Sequence, residues 1–132
     1  MNLNDYNNFV IAVTSEPSLD LEKMIDRLRE LAKTGVNVPL FYTSASGMSA
    51  EAGEFMEIAK KALWQGKELT PDVQFHLKRE LGDVIFYWSQ ACKSLGIDPH
   101  EVIDENVHKL ESRYPGGKFE VKHSETRKEN DL

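Results

Sequence analysis

Two stretches between Met48 and Leu95 each set a pair of carboxylates where a helix should carry an apolar stripe. That conflict limits what this chain can fold into more than any other feature. In the first stretch, Met48, Ala52, Phe55, Ala59, Ala62 and Leu63 recur at the i, i+3, i+4 spacing of a buried face, with Glu51 projecting into the stripe and Glu54 on its edge. In the second, Val73, Leu77, Leu81, Val84, Trp88, Ala91 and Leu95 form the stripe, bordered by Glu80 and Asp83. A carboxylate taken out of water is costly unless it is paired, and otherwise takes up a proton. Four of them in two matched pairs call for a shared cation.

Residues three apart on a helix point the same way, so two such helices packed face to face would converge four carboxylates on one point. Oxygen-only donors favour a hard ion, Mg²⁺ or alternatively Mn²⁺, over zinc or copper. The plain alternative is an acidic helical interaction module, because Glu-x-x-Glu and Glu-x-x-Asp are also common on solvated helix faces. A third reading is a di-iron carboxylate protein. Glu105 and His108 have the Glu-x-x-His spacing used there, but they fall opposite Val102, Ile103 and Leu110 and are expected to face solvent.

The expected architecture is all-α, a helical bundle with the two acid-bearing helices at its centre. Asn4 to Val13 reads as a short amphipathic helix, ended by the segment containing Pro17. Ser18 is a cap candidate for a second helix in which Leu21, Met24, Ile25, Leu28 and Leu31 share a face, stopping near Thr34 and Gly35. The run from Val36 to Thr43, interrupted by Pro39, reads as an extended packed loop. Ser46 or Ser49 would cap the first acid helix, and Gly66 would stop it. Thr70 and Pro71 open the second, which runs to Leu95. Asp98, Pro99 and Glu101 open the last helix, which ends at Tyr114. These boundaries give one domain over residues 1–117, with N-terminal helices in 4–33 and a core in 44–115. Residues 118–132 form a charged tail expected to be solvated and poorly ordered.

With 132 residues the chain is short for helices carrying this much apolar face, so completion by a second copy is expected. The net charge of -6 argues against a grip on duplex DNA, which needs a basic face. It does not exclude a phosphorylated substrate, because a bound cation reverses the local sign. No apolar run approaches a membrane span, no secretory signal is visible at the N-terminus, and a cytoplasmic location is expected. Cys92 is the single cysteine, which removes intrachain disulfides and makes core packing its simplest role.

On the last helix, Asn106, Lys109 and Arg113 share one side at i, i+3 and i+7, a spacing suited to an extended polyphosphate or to an ordinary solvated face. Lys60 and Lys61 either add positive charge near the acids or complement the dipole at their helix end. Trp64 is placed to stack on a base or to pack in the core, Trp88 lies in the apolar stripe, and Tyr87 stands beside Asp83 on the helix face.

The order Glu51-Ala-Gly-Glu54, Glu80-Leu-Gly-Asp83 and then Asn106, Lys109 and Arg113 resembles the E-x-x-E, E-x-x-D signature and last helix of the MazG-like nucleotide pyrophosphohydrolases, the all-α NTP pyrophosphatases. The resemblance covers roughly Ser44 to Pro115. It implies Mg²⁺ held by Glu51, Glu54, Glu80 and Asp83. Glu54 is the candidate general base, since a base must reach a water without being saturated by metal, and a ligand role stays equally open. It further implies phosphate contacts from Asn106, Lys109 and Arg113, and hydrolysis of a nucleoside triphosphate to the monophosphate and pyrophosphate. The substrate side is completed by Lys60 and Trp64 as candidates. The family's dimers, and tetramers built from dimers, imply a homo-oligomer.

Overall fold

The structure, a computed structural model, describes residues 2–126. Among them are seven helices and no strand: α1 (Leu3–Ala12), α2 (Glu16–Leu19), α3 (Leu21–Ala32), α4 (Val38–Trp64), α5 (Pro71–Leu95), α6 (Pro99–Arg113) and α7 (Val121–Glu125). The all-α bundle expected from the sequence is the fold found. None of these helices is long and apolar enough to cross a membrane. The chain divides into two compact units, Met1–Leu95 and Gly96–Leu132, described here one at a time.

The first unit is organised by α4 and α5. The start of α4 corrects the reading of 36–43 as an extended loop, because the helix begins at Val38, ahead of both serines offered as caps. Asn37 is its cap, its side-chain oxygen accepting from the Leu40 N–H at 3.2 Å. Pro39 sits in the first turn, where its missing N–H leaves no intrahelical bond unmade. Gly66, at φ +67°, turns the chain after α4, a conformation open to a residue without Cβ. Thr70 opens α5 as expected, its hydroxyl accepting from the Val73 N–H at 3.3 Å.

Three points along the pair establish that α4 and α5 are antiparallel. The Asn37 N–H donates to the Ser94 carbonyl at 2.9 Å, joining the start of one helix to the end of the other. Further along, Gly47 lies against the Tyr87 ring, and beyond it Glu51 meets Glu80 and Asp83. Near the joined ends the packing is done by small residues. Ser44 and Ser94 are 0% and 1% exposed, and each turns its hydroxyl back to its own helix, onto the Phe41 and Ala91 carbonyls at 2.9 and 2.7 Å.

The inward faces differ from the apolar stripes read in the sequence. Ala52, Leu63, Leu81 and Leu95 are exposed, whereas Ile58 is half-buried. Val38, Val73 and Cys92 are the buried apolar side chains among the described residues, and burial of Cys92 agrees with a packing role. Trp88 is half-buried. Within this unit α4 and α5 pack chiefly on each other and α3 meets α4 only briefly, so burial is concentrated in the strip where the pair touches.

The remaining helices of this unit are capped locally. Asn2 accepts from the Asp5 N–H at 2.9 Å at the head of α1. Asp20, not the expected Ser18, caps α3 by accepting from the Lys23 N–H at 3.0 Å. Pro17 does not simply end α1, since it stands in the first turn of α2, with Ser15 at the cap position.

In the second unit, Asp98 caps α6 through the His100 N–H at 2.9 Å, with Pro99 in the first turn. Val121–Glu125 forms α7 within the stretch expected to be an unstructured tail, and the Tyr114 and Phe119 rings pack at 5.7 Å. Residues 127–132 of that tail lie outside the described residues.

Candidate carboxylate site

Midway along the antiparallel pair, carboxylate oxygens of Glu51, Glu80 and Asp83 lie within 4.8 Å of one another. Glu51 comes from α4, whereas Glu80 and Asp83 stand one turn apart on α5, so the helix spacing alone aims the latter two together. Glu51 and Glu80 are half-buried and Asp83 is exposed. Glu54 is exposed and outside this group of three, yet close enough for its charge to act on Glu51.

The electrostatics are one-sided. Desolvation raises the Glu51 pKa above its ordinary 4.5, and the charges of Asp83, Glu54 and Glu80 push it the same way, as does a hydrogen bond with Glu80. Glu51 therefore holds a proton more readily than a free carboxyl group, or a cation takes the proton's place.

The donor set fits a hard divalent ion. Opposite oxygens around Mg²⁺ at about 2.1 Å stand about 4.2 Å apart, so these side chains need only a small rotamer adjustment to close on one. Among the described residues this is the one acidic or histidine group with such convergence. Glu105 and His108, the Glu-x-x-His pair, are both exposed on α6 and belong to no such group.

The other residues singled out in the sequence are spread over both units. Lys60 is hydrogen-bonded and ion-paired to Glu57, and Lys61 reaches the same carboxylate at 3.2 Å. The hydrogen bonds from Lys60 and Lys61 hold the Glu57 pKa below 4.5, so both lysines have an anionic neighbour on their own helix. Trp64, the last residue of α4, is 69% exposed, which leaves its indole open for stacking. In the second unit, α6 carries Asn106 and Lys109, both exposed, and Arg113, which is half-buried. Tyr87 is half-buried and lies on Gly47 one turn from Asp83. Gly47 was not singled out by apolar periodicity, since a glycine carries no hydrophobic signal; its position one turn before Glu51 was the available clue.

No curated protein and no solved structure matches the chain. The family described as the MazG nucleotide pyrophosphohydrolase domain matches residues 42–117, a span that takes in the whole carboxylate site and more than half of the sequence. On that match the chain belongs to the MazG nucleotide pyrophosphohydrolase family.

Proposed function

We propose that this protein is a Mg²⁺-dependent nucleoside triphosphate pyrophosphohydrolase, with Mn²⁺ as a substitute ion, converting a ribo- or deoxynucleoside triphosphate and water to the monophosphate and pyrophosphate. The observation that carries the reading is the convergence of Glu51, Glu80 and Asp83 from two helices within the matched family domain. When bound, the ion supplies positive charge to the phosphate oxygens and eases deprotonation of water.

The chain's own groups then have distinct tasks. Glu51, Glu80 and Asp83 hold the ion, with Glu54 as a further ligand or as the base. Exposed beside the other three, Glu54 is free to take the proton from the water that attacks the α-phosphorus. The α–β anhydride bond breaks and pyrophosphate leaves. Asn106, Lys109 and Arg113 on α6 bind the polyphosphate, Lys60 adds positive charge, and Trp64 stacks on the base.

A homo-oligomer, dimer or tetramer, is part of the same reading. Phe75, Ile85 and Phe86 on α5 are 55%, 63% and 55% exposed, and a second copy would cover them.

The test is a panel of nucleoside triphosphates incubated with Mg²⁺, scoring pyrophosphate against orthophosphate, with Glu80→Gln alongside. Pyrophosphate from the wild type and little from the variant is expected. Orthophosphate as the sole product, or equal turnover by Glu80→Gln, refutes the proposal.

A further inference from the structure

Gly47 and Tyr87 meet one helical turn from the carboxylates on both sides: Gly47 precedes Glu51 by four residues on α4, and Tyr87 follows Asp83 by four on α5. A Cβ placed on Gly47 would stand 2.3, 2.4 and 2.5 Å from three atoms of the Tyr87 ring. Carbon atoms rest at about 3.5–4.0 Å, so even one methyl group would force a displacement of more than about 1 Å. The other helical glycines make the comparison pointed. Gly53 in α4 and Gly82 in α5 have nothing within 4 Å of an added Cβ, so neither is required by a neighbour in this chain.

The ring is half-buried, and the Phe86 ring meets it in a T-shaped contact at 5.2 Å. The helix ends beyond it are drawn together by the bond from Asn37 to Ser94. Any thickening at Gly47 is therefore passed to the spacing of α4 and α5, and Glu51 and Asp83 stand one turn away on the two helices. Glu51 comes from α4 and the other two donors from α5, so the separation of Glu51 from Glu80 and Asp83 depends on the interhelical distance.

We propose that the Tyr87 ring seated on Gly47 is the spacer that sets the helix separation at the carboxylate site, making both positioning residues for cation binding. The inference rests on the cation-binding reading given above and specifies what keeps that site in register.

Calorimetric titration of Mn²⁺ into the full chain tests it, with wild type, Glu80→Gln, Gly47→Ala, Tyr87→Leu and the double variant compared, and with helix content checked by circular dichroism. Disturbing the groups that orient ligands typically weakens metal binding by about 10–100-fold. Gly47→Ala and Tyr87→Leu are each expected to weaken it by about tenfold at least. Adding Gly47→Ala to Tyr87→Leu is expected to cost less affinity than adding it to the wild type, because leucine lacks the Cε1 and Cζ atoms that the methyl would meet. Wild-type affinity in Gly47→Ala overturns the spacer, as does an equal penalty in both backgrounds. If Gly47→Ala does not fold, Tyr87→Leu decides alone, and wild-type affinity there overturns the proposal. A wild type that binds no Mn²⁺, or a Glu80→Gln variant that binds it equally well, instead refutes the cation site itself.

Discussion

Replacing Glu51 by Gln should reverse the order of stability of wild type and variant according to whether Mg²⁺ is present. In EDTA the wild type carries a half-buried carboxylate facing Glu80 and Asp83, and its raised pKa records that folding disfavours its charged form. The glutamine removes that repulsion, so the variant should unfold at the higher temperature. In Mg²⁺ the same charge becomes an asset. An ion at about 100 times its Kd stabilises a fold by about 2.7 kcal/mol, which for 132 residues is a rise in Tm of about 10 °C. The wild type should show that rise and Glu51→Gln little of it, so the two curves cross as Mg²⁺ is added.

The pH dependence follows from the same shift. A carboxyl group whose pKa is raised in the fold contributes stability that is full below its unfolded value, near 4.5, and is lost as pH rises through the folded value. In EDTA, stability of the wild type relative to Glu51→Gln should therefore fall as pH rises above 4.5, while its affinity for Mg²⁺ rises over the same interval. Glu57 works in the other direction and in another window. Its lowered pKa gives stability that is lost as pH falls below 4.5, equally in both proteins, so it cancels from the comparison. Thermal melts followed by circular dichroism, with and without Mg²⁺ at several pH values, make the measurement. A variant less stable than wild type in EDTA would refute the repulsion argument, and an unmoved wild-type Tm in Mg²⁺ would refute the ion.

Two further outcomes are expected. Asn37→Ala removes the cap of α4 and should cost about 1 kcal/mol, about 4 °C in Tm, while Asn37→Gly should cost only a few tenths; an unchanged Tm for Asn37→Ala in thermal melts would show that the bond to the Leu40 N–H does not set the start of the helix. Light scattering on a sizing column at micromolar concentration should give a mass of two or four chains, and a monomer would refute the second copy proposed over Phe75, Ile85 and Phe86.

Where the sequence was readable, the signals were terminal. Thr70 with Pro71 and Asp98 with Pro99 marked the heads of α5 and α6 correctly because a proline in the first turn sacrifices no helical hydrogen bond. The same arrangement opens α4 at Asn37 with Pro39 and α2 at Ser15 with Pro17, but there the proline lies among β-branched and aromatic residues or next to a helix end, where the local signal reads equally as an interruption. The carboxylates were legible because Glu51 breaks an apolar stripe. Their partners in packing were not: Ser44, Gly47 and Ser94 bring the helices close by being small, and no hydrophobic period records smallness. The stripes overreached at Ala52, Leu63, Leu81 and Leu95 because periodicity names the face a helix could bury, while the number of neighbouring helices decides how much of it is covered.

Because α5 doubles back on α4 after a short turn, every carboxylate of the cluster lies within one continuous segment of chain. Contacts between stretches close in sequence form early, since little loop entropy must be surrendered to bring them together. The carboxylate cluster can thus assemble before the terminal helices have folded. Its formation in a growing chain waits only for α5 to clear the ribosome.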